Sequence, residues 1–365
     1  MLRNSALWRR LTGRAGPRER PVAQADTHIV LLDGTMSTLD EGRETSIGLI
    51  WKMLRDEGHD CLYYEPGIEW RGLKRADEVM AGVGINRQIR RAYFFLAHRY
   101  TPGDKVFLLG YSRGAYGVRA LAGMIDRVGL LRNEELTDAR VQEAYDHYRA
   151  DPTSAEARSF HSRYCHPKAQ IRAIGVFDTV QAVGIRWPVL WRLFPEVHRF
   201  RSHRLGPRVQ YGFHAMALDE TRRAFALERW RTRGERTRTV EQVWFRGSHG
   251  DLGGQLMGFG AARPLANVPL HWMLSRLQSV GLDLPPDWRD RFPADATAPS
   301  AGNWRGFGPL FLARKRREVG IDPSESLHPS AVGHQAAARL RTWMSRAPDD
   351  PGETNRTTAP ARRIS

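Results

Sequence analysis

Apolar positions recur along this chain in two periods. At residues 28–32, 61–64, 106–109, 171–177 and 242–245 they form short runs rich in β-branched and aromatic side chains, which predict strands. Residues 47–57, 85–100, 115–127 and 220–230 space their apolar positions as helices do. In the second of these, Ile85, Ile89, Ala92, Tyr93 and Leu96 share one face. Turn signals close several blocks, among them Asp33-Gly34-Thr35, Gly58 and Pro66-Gly67. Strands that alternate with helices predict parallel pairing through crossover helices. The expected class is therefore α/β, a mostly parallel sheet with helices on both faces. Residues 183–208 and 284–306 follow neither period. No repeat or long linker interrupts the pattern, so residues 27–346 are expected to form one domain. A basic flexible tail (1–26) would precede it, and a disordered tail poor in apolar residues (347–365) would follow.

No apolar run reaches the roughly 18 residues that would cross a bilayer. The arginine-rich first 26 residues also lack the apolar stretch of a secretory signal, so a cytoplasmic location is expected. Two cysteines, Cys61 and Cys165, exclude a disulfide framework and a cysteine-based zinc site. The net charge of +16 suits a polyanionic partner such as nucleic acid or an anionic membrane. However, 51 of the 56 basic residues are arginine, a skew that a GC-rich genome also produces. A basic nucleic-acid-binding protein is thus one rival reading, and no recognition motif accompanies the charge. Dinucleotide and Walker fingerprints are missing: Gly82-Val83-Gly84 lacks the third glycine and follows no strand.

The chemistry-bearing residues fall just after predicted strands, where open α/β sheets hold their sites. Gly110-Tyr111-Ser112-Arg113-Gly114 fits Gly-x-Ser-x-Gly between a predicted strand and a predicted helix. That is the setting of a nucleophile elbow, which lifts the serine hydroxyl above the sheet and aims helix amides at a developing oxyanion. The alternative is an ordinary Gly/Ser turn. A serine nucleophile needs a base, and the base needs an orienting acid. Two pairs qualify: Asp178 with His249, or Asp251 with His328, and the order Ser…Asp…His suits both. His249 and Asp251 could instead share a metal, but no further ligand cluster has suitable spacing. Asp33-Gly34-Thr35 would add oxyanion donors beside the elbow, together with the amide at Arg113. The alternative there is a plain turn into a helix.

Six motifs in order carry a resemblance: Asp33-Gly34-Thr35, Gly103-Asp104-Lys105, Gly110-Tyr111-Ser112-Arg113-Gly114-Ala115-Tyr116, Gly175-Val176-Phe177-Asp178-Thr179-Val180, His214-Ala215-Met216-Ala217-Leu218-Asp219-Glu220 and His249-Gly250-Asp251-Leu252-Gly253-Gly254. Leu327-His328-Pro329-Ser330 follows them. Over residues 27–332 the chain resembles the α/β-hydrolase domain of the type VI secretion phospholipase effectors. Gln181, Gln255 and Phe177 depart from that pattern, which would have two glycines and a tryptophan there. The resemblance implies an α/β-hydrolase fold and a serine esterase acting on phospholipid or other lipid esters through an acyl-serine. It implies Ser112, Asp178 and His249 as the triad, with Asp251 supporting the His249 loop and no metal or organic cofactor. Type VI export and peripheral contact with an anionic membrane join the expectations. A non-catalytic binding module of the same fold is the other rival.

Residues 185–200 combine Trp187, Leu190, Trp191, Leu193 and Phe194 with Arg186, Arg192 and Arg199, just downstream of Asp178. The bland reading is a wall or lid of the site. The sharper expectation is a cap that rests on anionic lipid, with rings at headgroup level and arginines on phosphate.

Overall fold

A computed structural model describes residues 25–67, 83–180, 203–232, 239–306 and 308–333. Seven parallel strands form one sheet: β1 (Thr27–Leu32), β2 (Leu62–Glu65), β3 (Lys105–Tyr111), β4 (Ile171–Phe177), β5 (Val209–Ala217), β6 (Val240–Phe245) and β7 (Glu325–Leu327). They lie in the order β2-β1-β3-β4-β5-β6-β7. Because β2 and β3 flank β1 on opposite sides, the winding reverses at β1. The crevice such a reversal opens lies at the strands' carboxyl ends.

The near-continuous apolar runs follow from burial on both faces. Along β1, Val30 and Leu32 pack into one layer while Ile29 and Leu31 pack into the other. The first layer is covered by α2 (Val83–Arg99) and α3 (Arg113–Arg127), with α4 (Asp138–Arg149) and α5 (Ala155–Tyr164) adjoining. The second lies under α1 (Ser46–Asp56) and α7 (Arg263–Ser279), with Trp288 of the short α8 (Trp288–Arg291). Between them in sequence, α6 (His249–Gly253) follows β6.

The structure departs from the sequence reading in several elements. Residues 220–230 form no α-helix. They run extended around a single 3-10 turn, Arg223–Phe225. Tertiary partners override the helical period there: Glu228 donates its amide to the Thr179 carbonyl, and the Trp230 amide donates to Gln242 Oε1. Arg223 likewise donates its amide to the Ala313 carbonyl. Strand β5, unassigned from sequence, is a nine-residue run broken in appearance by Gly212 and His214. Helices α4, α5 and α7 also escape the periodicity; α7 carries Pro269 inside it. Residues 284–306 are mostly irregular apart from α8. The segment 185–200 and Gln181 lie outside the described residues, as do residues 1–24 and 334–365.

Candidate active site

The elbow is built by close backbone approach. Ser112, between β3 and α3, has φ 57° and ψ −120°, a conformation that non-glycine residues rarely hold. The flanking positions admit no side chain. A Cβ on Gly110 would lie 2.7 Å from Ala115 Cα, and one on Gly114 would lie 2.1 Å from the Leu32 carbonyl oxygen. Glycine at both places lets the turn press against β1, and the Ser112 amide donates to the Phe177 carbonyl.

His249 opens α6. The preceding Ser248 caps that helix reciprocally with Asp251. Asp251 is fully engaged: it accepts from the Ser248 amide and hydroxyl (both 2.8 Å), the Ser300 hydroxyl (2.6 Å) and the Ala301 amide (2.7 Å). It thereby fastens the His249 turn to residues 300–301. The imidazole lies between the rings of Tyr111 and Phe225, with centroids 4.9 and 4.8 Å away. The Tyr111 hydroxyl also donates to the His249 carbonyl.

These supports bring three side chains into line. His249 Nε2 is 2.8 Å from Ser112 Oγ, and its Nδ1 is 2.6 Å from Asp178 Oδ2. All three are buried. With Asp178 ionised, Nδ1 carries the proton it donates, which leaves Nε2 as an acceptor for the serine hydroxyl.

Asp178, in the turn after β4, has φ 44°. Its Oδ1 accepts from the Ala217 amide at 2.9 Å, and Arg317 Nη1 and Nη2 reach Oδ1 and Oδ2 at 2.5 and 2.8 Å. Burial alone would push this carboxyl up. The Arg317 charge and the His249 hydrogen bond outweigh it and hold Asp178 far below the usual carboxylate range. Nothing in the sequence singled out Arg317, which ends the basic run Arg314-Lys315-Arg316-Arg317. His214 on β5 accepts from the Thr179 amide through Nε2, and burial pulls it down to about 3, so it stays neutral.

The Asp33 loop sits beside the elbow: a Cβ on Gly34 would be 3.4 Å from Ser112 Cβ. Asp33 is a buried anchor that accepts from the Thr45 hydroxyl, the Tyr64 hydroxyl and the Gly34 amide. Even so, burial pushes it up to about 6. The Gly34 amide is thereby committed. The Thr35 and Arg113 amides make no hydrogen bond with a described residue. Gln255, one of the departures from the expected pattern, donates to the Thr35 carbonyl at 2.9 Å and steadies this loop. The half-buried Arg113 side chain is pulled down to about 10 by burial.

The alternative pair does not assemble. His328, after the edge strand β7, stacks on Phe245 with centroids 4.5 Å apart, and its Nδ1 accepts from the Ser330 amide. Burial draws it down to about 4. The partners of Asp251 are Ser248, Ser300 and Ala301.

The family described as "T6SS, Phospholipase effector Tle1-like, catalytic domain" matches residues 27–276. The chain belongs to this family. Its seven-stranded parallel sheet with helices on both faces is the α/β class that the sequence pattern predicts. The curated protein YEL023C of Saccharomyces cerevisiae, itself uncharacterized, is 31% identical over 224 residues, covering 54% of this chain and 31% of that protein. The chain thus spans less than a third of that relative's length. Among solved structures, an uncharacterized Pseudomonas aeruginosa protein aligns at TM-score 0.40 and 14% identity, over 74% of this chain and 49% of that one. The Tle1 effector bound to the VgrG spike of the type VI secretion system aligns at TM-score 0.30 and 19% identity, over 64% and 52%. Among the described residues no helix is long and apolar enough to cross a membrane.

Proposed function

We propose that this Tle1-like domain is a serine esterase that cleaves a carboxylic ester of phospholipid or related lipid through an acyl-serine intermediate. The observation that carries the reading is the continuous Ser112–His249–Asp178 hydrogen-bond line, 2.8 and 2.6 Å, on a strained elbow. In this reading Ser112 Oγ attacks the ester carbonyl while His249 Nε2 takes its proton. The Thr35 and Arg113 amides hold the resulting oxyanion. Collapse of the tetrahedral species expels the alcohol, which receives the proton from His249. Water, deprotonated by His249, then attacks the acyl-serine and releases the acid. Asp178 keeps the imidazole in its tautomer and stabilises the imidazolium, with Arg317 holding the carboxylate in place.

The test is turnover of p-nitrophenyl esters and phospholipids by wild type and Ser112→Ala, with fluorophosphonate labelling of Ser112. Labelling and hydrolysis in wild type, both lost in the variant, are expected. Hydrolysis that survives in Ser112→Ala would refute the nucleophile. A wild type that neither labels nor hydrolyses would point to a binding module of this fold.

A further inference from the structure

The carboxyl end of the sheet carries exposed apolar side chains that the catalytic reading does not use. Trp304, Leu310 and Leu312 are 63%, 60% and 77% exposed, and Met257 is 51% exposed. Surface apolar residues scattered singly need no explanation, but several on one stretch of chain do. Trp304, Leu310 and Leu312 share one short stretch, and Met257 adjoins it. Gly306 lies against the Met257 side chain, and Arg305 stacks on Phe259 at 3.8 Å. Arg314 stacks on Trp304, also at 3.8 Å, and donates to the Gly308 carbonyl.

The same loop reaches the site. Phe311 packs on Phe225 at 5.4 Å, and Phe225 packs on the His249 ring. Backbone bonds from Arg223 to Ala313 and from Lys315 to Thr221 fix the loop across the end of β5. The loop therefore lies one ring away from His249, on the end of the sheet where Ser112 lies.

Charge selects the occupant. From Ser300 to Arg317 the chain has no acidic residue and five basic ones, Arg305, Arg314, Lys315, Arg316 and Arg317. Arg317 is spent on Asp178 and Arg314 on the loop itself. Arg305, Lys315 and Arg316 are exposed, with Lys315 paired to Glu318. Apolar side chains interleaved with exposed arginines suit the boundary between acyl chains and anionic headgroups.

We propose that residues 302–306 and 308–316, with Met257, form a docking face for an anionic lipid bilayer, delivering lipid to Ser112. The proposal deepens the esterase reading by naming a membrane surface as the form of its substrate. Binding and catalysis can nevertheless be read separately.

The test is sedimentation of the full chain, as Ser112→Ala to prevent turnover, with vesicles of phosphatidylcholine alone or mixed with phosphatidylglycerol. Two further variants are added, Trp304→Ser/Leu310→Ser/Leu312→Ser and Arg305→Glu/Arg316→Glu. Preferred binding to the anionic vesicles is expected, with each variant weakening it at least about tenfold. With Ser112 restored, hydrolysis of a soluble short-chain ester should stay within about twofold of wild type, since no altered residue touches the triad. The charge reversal changes only exposed side chains, so it keeps the test valid should the triple variant misfold. Equal vesicle binding by the charge-reversed protein, or no binding to anionic vesicles by the Ser112→Ala parent, would overturn the docking face. Binding that persists in a protein inactive on every ester would leave the docking face standing and sink the esterase reading instead.

Discussion

Arg317 grips both oxygens of Asp178, with Nη1 2.5 Å from Oδ1 and Nη2 2.8 Å from Oδ2. The acid behind His249 thus carries a fixed counter-charge, and both partners are buried. The guanidinium also donates to the Ala217 and Phe225 carbonyls, so it ties the turn after β4 to the end of β5 and to the ring that packs on His249.

Removing that charge leaves a buried carboxylate half-paired. Arg317→Ala should lose about 3 kcal/mol of stability and lower kcat at least about tenfold through a misplaced imidazole. Arg317→Lys restores charge but not the two-pronged grip, so it should fall between. The pH dependence has a definite sign. A carboxyl held low contributes stability that is present above its unfolded value near 4 and lost as pH falls below it. The melting-temperature gap between wild type and Arg317→Ala should therefore be full at neutral pH and narrow below about pH 4. A gap independent of pH would mean that Arg317 acts only by packing.

Ser112 sits at φ 57°, where glycine is relaxed and serine is strained. Ser112→Gly should therefore be at least as stable as wild type in thermal melts while losing hydrolysis entirely. Ser112→Ala keeps the strained backbone and should stay within about 0.5 kcal/mol of wild type. A Ser112→Gly protein less stable than Ser112→Ala would show that the elbow is not a strained turn.

The sheet was legible where its strands are uniformly apolar, because burial on both faces leaves a run that few other elements produce. Strand β5 was not, since Gly212 and His214 interrupt it, and His214 is polar for a local reason, accepting from the Thr179 amide. The three side chains that the fold brings into line, Ser112, Asp178 and His249, were legible because each follows a strand inside a recognisable motif. Arg317 was not, because its role comes from a contact 139 residues away that no local pattern encodes. Residues 220–230 misled for the converse reason: an amphipathic period survives in the sequence while Glu220 is buried against Arg222 and the His249 amide.

Asp251 offers a way to separate scaffold from chemistry. Its four hydrogen bonds hold the turn that presents His249, yet it does not touch the imidazole. Asp251→Ala should cost about 2–3 kcal/mol by leaving buried donors unpaired. Asp178→Asn should lower kcat by roughly 10³-fold or more by disturbing the imidazole tautomer. If Asp178→Asn proved milder in kcat than Asp251→Ala, the roles given to the two acids would be reversed.

Far from the site, Asp104 of the Gly103-Asp104-Lys105 turn binds His28 on β1, with Nε2 2.8 Å from Oδ2. It also accepts from the Thr101 and Asp26 amides, so one carboxylate ties the start of β1 to the turn into β3. Burial by itself pushes the His28 imidazole down, but the Asp104 hydrogen bond, aided by Cys61, raises it to about 9. Burial likewise raises Asp104, and the His28 bond and the amides bring it down to about 2. The two signs define a window. The histidine's contribution is complete below its unfolded value near 6.5 and fades as pH rises through 9. The aspartate's is complete above its unfolded value near 4 and fades as pH falls through 2. The pair is therefore at full strength between about pH 4 and 6.5, where it contributes on the order of 3 kcal/mol. Melting curves of wild type and Asp104→Asn should lie furthest apart at pH 5–6 and converge as pH rises from 6.5 to 9.5. Curves that stay parallel across that range would mean His28 is neutral in the folded protein, and Asp104 would then serve only as an acceptor for the surrounding amides.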